Sequence, residues 1–406
     1  MLDAAARYGA AVEALTEALA RLPLRAPGWL GLRDHLAAHV AAPEFRALLT
    51  EMRELRERLG EITYCVRIRG GTLTVTRYDG EDDYSAEVAA TFAKFRQGVV
   101  EPRRLRWSVS PDMGHVETQV LERVAALPPD VFARLRSFPV RHQGFADDVV
   151  TRFDREVQVY LAWLEFLAPL RAVGLPVCFP RVFLGSGPVR AARAFDVALA
   201  ARLVGEGTPV VCNDVQLTGA ERVLVVTGPN QGGKTTYARM VGQLHHLAAL
   251  GLSIPGTQAD LPLVDRVFSQ FERGENMADL SGKLLDDLTR MQSICEQATD
   301  RSVVVVNEAF TSTTLEAAGF LGAEVLERLI RRGCLVVYVT FLDELATLGP
   351  EVVSLVAEVD HDDPAQRTFA VLRRPADGLA YADVLAARYG LTAERLTARI
   401  TAHTDA

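Results

Sequence analysis

The feature that most constrains this chain is an eight-residue run, Gly228-Pro229-Asn230-Gln231-Gly232-Gly233-Lys234-Thr235, which matches G-x-x-x-x-G-K-[ST]. The apolar stretch Val223–Thr227 before it reads as a buried strand, and the residues after it read as a helix. A glycine-rich turn in that setting lets backbone N–H groups converge on phosphate oxygens, while the helix presents its positive end to them. Lys234 is then placed to reach the β- and γ-phosphates, and the Thr235 hydroxyl to ligate Mg²⁺. The run therefore implies a strand–loop–helix unit inside an α/β domain.

The rest of that domain reads as alternating β and α. Residues 303–306 and 335–340 are further buried strands separated by helical stretches, which predicts a largely parallel sheet. Upstream the pattern is helical. Apolar residues recur at helical spacing over 1–22, over 43–59 up to Gly60, in parts of 117–137 and over 145–173, where Pro169 is expected to kink or stop the helix. Residues 84–98 read as a short helix and 101–114 as a loop. Residues 62–78 change to alternation around Gly70-Gly71 and predict a β-hairpin. The Gly/Pro-rich stretch 174–188 is the candidate boundary, giving a mainly helical domain over 1–188 and the α/β domain over 189–406.

Composition excludes several classes. The chain has 406 residues, 49% apolar and 24% charged, which supplies a core and excludes a disordered or fibrous chain. The start lacks the basic-then-apolar pattern of a signal peptide, and no apolar run reaches the roughly 18 residues of a membrane span. The five cysteines are scattered without metal-ligand spacing and are expected to be buried, reduced thiols. A cytoplasmic protein away from membranes is expected. The net charge of −8 argues against an overall positive coat but leaves room for a local basic groove. Arginine supplies almost all the positive charge; the lysines are Lys94, Lys234 and Lys283.

Strand 303–306 ends in Asn307-Glu308. A carboxylate at the carboxyl end of a strand can polarise an attacking water, which makes Glu308 the candidate general base or water-positioning residue, with a helix-capping or solvated glutamate as the alternative.

Together these segments resemble the MutS ATPase family. Val226-Thr-Gly-Pro-Asn-Gln-Gly-Gly-Lys-Thr-Thr-Tyr237 is similar to its phosphate loop, and Ala278-Asp-Leu-Ser-Gly-Lys283 to its Ser-Gly signature. Asn307-Glu-Ala-Phe-Thr-Ser-Thr-Thr314 sits where the family has Asp-Glu and a small-residue loop, and Val339-Thr-Phe341 at its Thr-His position. Ala376-Asp-Gly-Leu-Ala-Tyr381 and Tyr389-Gly-Leu-Thr392 are similar to the segment closing the domain. The resemblance covers about residues 190–400.

The resemblance implies an ABC-type P-loop ATPase domain, preceded by a lever-like helical domain, that uses ATP and Mg²⁺ and pairs head to tail in a homodimer. ATP would lie on Gly228 through Thr236, with Mg²⁺ on Thr235 and Asn307. Ser281 of one subunit, followed by Gly282, would meet the γ-phosphate held by the other; the alternative is an ordinary serine cap of the helix at 282–297. Asn213 is similar to the nucleotide-edge position, with a turn asparagine as the alternative. Gln270 is a candidate linker glutamine. Lys283 reads as a surface lysine, with assistance by charge as the alternative, the pair Asp286-Asp287 reads as helix surface, and His245-His246, adjacent on a helix, point apart and do not make a metal pair.

Two departures matter. Asn307 replaces an aspartate and removes a full negative charge from the Mg²⁺ shell, and Phe341 replaces a histidine near the γ-phosphate. Slow hydrolysis is expected. No mismatch-reading wedge is found near the start, so the chain reads as a shortened form. Arg103, Arg104 and Arg106, beside Trp107, are candidate DNA contacts, as are Arg134, Arg136, Arg141 and His142; intramolecular ion pairs are the competing reading. The implied function is a MutS-like ATPase coupling ATP to DNA binding of the repair or recombination type. The alternatives are a nucleotide-switched protein scaffold with weak hydrolysis and no DNA contact, and a small-molecule kinase, which leaves the Ser281 segment unexplained.

Overall fold

The computed structural model describes residues 1–70, 72–82, 84, 87, 90, 91, 114–185, 187–271, 282–360, 367–376, 391–394 and 397. Its contacts divide the chain into two compact units, Met1–Glu156 and Val157–Ala406.

The first unit is built from helices α1 (Leu2–Arg21), α2 (Pro27–Ala41), α3 (Pro43–Gly60), α4 (His115–Ala125) and α5 (Pro129–Arg141), with a hairpin of β1 (Tyr64–Arg69) and β2 (Thr72–Arg77). Prolines open α2, α3 and α5, where a missing N–H costs nothing and the fixed φ suits a first turn. Val12 and Leu19 of α1, Leu36 of α2 and Leu48 and Leu55 of α3 meet in one buried core. The sequence pattern missed α2: its apolar residues do not fall on one face, and Leu36 is its buried member. Helix α6 (Asp148–Ala172) begins in this unit, capped by Asp147, whose Oδ1 accepts the Val149 and Val150 amides.

Pro169 does not stop α6; the helix runs on to Ala172. Pro169 sits in the last turn, and Leu167 and Leu170 on either side of it are buried against Phe195 and Ala200. That packing outweighs one missing backbone hydrogen bond.

The second unit carries the sheets. β7 (Val223–Thr227), β10 (Val267–Gln270), β11 (Val303–Asn307), β12 (Leu335–Val339), β13 (Val352–Val359) and β14 (Arg367–Arg373) form a six-stranded sheet in the order β10-β11-β12-β7-β13-β14. The first five strands run parallel, and β14 pairs antiparallel to β13. Helix α8 (Lys234–Ala249) covers one face, while α9 (Lys283–Gln297) and α10 (Leu315–Arg332) cover the other. Because both faces are covered, β7 and β11 are buried at every residue and read as plain apolar runs. A four-stranded sheet in the order β4 (Arg181–Phe183), β9 (Gln258–Pro262), β5 (Val189–Ala194), β6 (Asn213–Leu217) lies alongside, as does the short pair β3 (Val177–Cys178) and β8 (Ile254–Pro255). Helix α7 (Val197–Gly205) is capped by Asp196, whose Oδ1 accepts the Leu199 amide.

Among the described residues, no helix is long and apolar enough to cross a membrane. All five cysteines are free; Cys295 and Cys334 are buried, whereas Cys65, Cys178 and Cys212 are half-buried.

Leu326 of α10 is fully buried in the core beneath β11 and β12. Leu326→Ala is expected to destabilise the second unit by about 2–5 kcal/mol through lost transfer energy and the cavity left behind. Urea denaturation followed by Trp163 fluorescence, in a background with Trp29 and Trp107 changed to Phe, checks this; an unchanged midpoint would contradict the packing.

Candidate functional site

The sheet brings three strand ends together. Asn307 of β11 lies opposite Val339 of β12, and Val339 lies opposite Val226 of β7, so the carboxyl ends of these strands form one rim. Hydrogen bonds continue past the strands: the Glu308 amide donates to Val339 O at 3.0 Å and the Thr340 amide to Val226 O at 3.1 Å. Ligands of open α/β sheets bind on such a rim, because the strand ends and helix N-termini meet there.

The phosphate loop leaves β7 at Gly228. Its φ of +108° suits glycine, and a Cβ there would lie 2.9 Å from Ala357 O. Gly233 closes the loop with φ +95° and caps α8, which starts at Lys234. Lys234 is only 3% exposed. Its ammonium donates to Gly228 O at 2.7 Å and Pro229 O at 3.2 Å. Burial pushes it down to about 8, with the Glu308 carboxylate acting against that fall and the Arg367 guanidinium adding to it. The Phe341 ring lies over the same ammonium, 4.3 Å from centroid to Nζ.

The Thr235 hydroxyl donates to Asn307 Oδ1 at 2.7 Å. Two hard oxygens thus stand side by side at the rim, the donor type Mg²⁺ takes, and they carry no charge of their own. They fit a Mg²⁺ ion that draws most of its oxygens from phosphate and water. Glu308 follows immediately, with φ +52°, a left-handed conformation uncommon for glutamate that turns the chain sharply out of the strand.

Lys234, Thr235, Thr236, Asn230, Gln231, Gly233, Glu308 and Asn213 line one cavity of about 450 Å³. Leu199 and Leu203 of α7, Pro209, Val210, Val211 and Phe369 add apolar lining, interspersed with Asp196, Arg202 and Thr208. Phe369 has φ +59° and is held in place by the Asn213 side chain, which donates to Phe369 O at 3.1 Å and accepts the Val371 amide at 2.7 Å. Asn213 thereby ties β6 to β14 rather than forming a turn. The sequence carried no signal for Phe369, because its place at the cavity depends on β14 pairing far along the chain. Arg367 joins it by donating from Nε to Asn230 O at 3.1 Å.

Other sequence candidates fall elsewhere. Gln270 does not line this cavity: it is buried, and its Nε2 donates to Asp287 Oδ1 at 2.7 Å. Asp287 is not a surface residue either; it is 9% exposed, and Oδ2 accepts the Phe310 amide at 3.1 Å. Its carboxylate links β10, α9 and the turn after β11. Gly282 caps α9 with open space around it. Ser281 lies outside the described residues, as do Arg103, Arg104, Arg106 and Lys94.

In the second basic group, Arg134, Arg141 and His142 are engaged in ion pairs. Arg134 bonds Glu54 at 2.8 Å, Arg141 pairs with Glu51, and His142 Nε2 meets Glu51 Oε2 at 2.8 Å. Burial raises the Glu51 carboxyl, yet the bonds from His142 and Arg141 outweigh that and hold it below its ordinary value. His245 is buried with Nδ1 2.9 Å from Val241 O, and among the described residues no cluster of His, Cys, Asp or Glu could hold a metal.

Residues 224–394 match the family model described as MutS domain V. The chain is 24% identical over 251 residues to the DNA mismatch repair protein MutS of Thermotoga petrophila, covering 59% of this chain and 29% of that protein. It is 32% identical over 136 residues to the MutS proteins of Thermotoga sp. strain RQ2 and Thermotoga maritima, covering 34% of this chain and 17% of each. The matches thus span less than a third of those relatives' length. The family model begins on β7 and takes in the phosphate loop, the Asn307-Glu308 strand end and Phe369, the elements that meet at the cavity. Residues 224–394 are thus similar to MutS domain V.

Proposed function

We propose that this protein binds ATP in the cavity between the phosphate loop and the α7 wall and hydrolyses it slowly to drive a homodimer open and closed. The observation that carries this reading is that the phosphate loop and its Lys234 share one cavity with the apolar side chains of Leu199, Leu203, Val210, Val211 and Phe369, which suits a triphosphate joined to a planar base. Mg²⁺, when bound beside Thr235 and Asn307, supplies charge neutralisation of the phosphates. The chain's own groups do the rest. Loop amides and the Lys234 ammonium bind and orient the β- and γ-phosphates, and the apolar side chains exclude water from the base. The Glu308 carboxylate orients a water and accepts its proton.

Dimerisation would place Ser281 of one subunit against the γ-phosphate of the other, with 1–188 acting as a lever on DNA or on a protein. The support for DNA is that the relatives are DNA mismatch repair proteins. A second reading, a nucleotide-switched scaffold with little turnover and no DNA contact, is favoured by the uncharged Thr235–Asn307 pair and by Phe341 at the rim.

ATP-dependent dimerisation, measured by analytical ultracentrifugation with plain, mismatched and branched duplexes, separates the two readings. Dimer formation with salt-sensitive duplex binding is the expected result; dimers indifferent to every duplex leave the scaffold, and monomers throughout sink both. Glu308→Gln is expected to lower ATP turnover by about a hundredfold or more while ATP binding survives, read by phosphate release and calorimetry. Asn307→Asp restores a charge next to Thr235 and is expected to tighten Mg²⁺ by roughly tenfold, read as the Mg²⁺ dependence of ATP affinity. An unchanged Mg²⁺ midpoint would place the metal elsewhere.

A further inference from the structure

Phe341 is an aromatic side chain, 47% exposed, at the rim of a phosphate site. Its place is set by both neighbours. The Thr340 amide is tied to Val226 O at 3.1 Å, and the Thr340 Oγ1 accepts the Leu342 amide at 3.0 Å. The turn so fixed puts the ring over the Lys234 ammonium at 4.3 Å, within the range of a cation–π contact. The same ammonium donates to Gly228 O and Pro229 O, so loop carbonyls and an aromatic face surround it. The residue held there is one of three lysines in the whole sequence.

We propose that Phe341 is a positioning residue for ATP binding: its ring fixes the Lys234 ammonium on the phosphate loop before nucleotide arrives. A lysine side chain loses rotamer freedom when it is pinned against phosphate. The ring imposes that order in the nucleotide-free protein, so less is lost on binding. Phe341 has no hydrogen-bonding group and cannot hold the γ-phosphate itself; it acts through the lysine. Leucine at 341 would cover the same space without a π face, whereas Tyr and Trp keep the face.

The ordering is independent of ATP, although its use rests on the nucleotide reading above, so the two are tested separately. In protein labelled with [ε-¹³C]lysine, three signals are expected, assigned with Lys94→Arg and Lys283→Arg. Without nucleotide, the Lys234 ε-CH₂ protons should lie upfield through the ring current, lose that shift in Phe341→Leu, and keep it in Phe341→Tyr and Phe341→Trp. Calorimetry should then show ATP bound roughly two- to fivefold more weakly by Phe341→Leu, the size of an exposed cation–π contact, with Tyr and Trp restoring wild-type affinity. A Lys234 signal without the upfield shift in wild type, or equal ATP affinity in all four proteins, would overturn the proposal. A ring-dependent shift in a wild type that binds no ATP would support the lysine seat and bring down the nucleotide reading instead.

Discussion

The hydrogen bond from Thr235 to Asn307, 2.7 Å long, joins two parts of the chain 72 residues apart, and the site depends on it. It locks the first turn of α8 to the end of β11, and through the β11–β12–β7 ladder it fixes the phosphate loop against the rim. Asn307 is 7% exposed, and a buried amide oxygen without a donor costs about 1–3 kcal/mol. Thr235 satisfies it. A carboxylate at this position would be a full charge in a largely dry place and would call for a metal or another cation to compensate. The amide lets the loop and the strand end close on one another without one.

A second polar device supports the far side of the rim. Asp287 is buried on α9 and binds both the Gln270 amide nitrogen and the Phe310 backbone N–H. Phe310 has φ +63° and is fully buried, and Glu308 at φ +52° lies two residues before it. Two left-handed non-glycine residues in one short turn store strain, and the turn persists because the Asp287 carboxylate and the packed Phe310 ring over-determine it. The strained turn is what aims Glu308 at the cavity rather than along the sheet.

The phosphate loop, the buried strands β7 and β11, helices α1 and α3 and the β1–β2 hairpin were legible in the sequence because each rests on local periodicity or on a motif with its own geometry. Phe369, Arg367 and Asp287 were not. Each is held by a partner more than 15 residues away: Phe369 by Asn213, Arg367 by Asn230, Asp287 by Gln270. An acidic pair on an amphipathic helix looks like solvent-facing surface until a partner such as Gln270 is known, which is why Asp287 was misread. Pro169 does not stop α6 as its local effect alone would imply, because the buried Leu167 and Leu170 hold the last turn.

The charges at the rim bear on how binding and turnover relate. Lys234 and Arg367 are cationic, and Glu308 is the carboxylate whose charge acts on Lys234. With an aspartate at 307 the cations would face two carboxylates, and a triphosphate would bring still more negative charge, so a divalent metal would be needed for balance. With Asn307 one of those charges is absent, and Lys234 and Arg367 face the phosphates less opposed. Under the proposed function, ground-state attraction for phosphate would persist while Mg²⁺ would be held less firmly. Removing one charge would then shift the site toward holding nucleotide and away from consuming it, the balance the proposed switch requires.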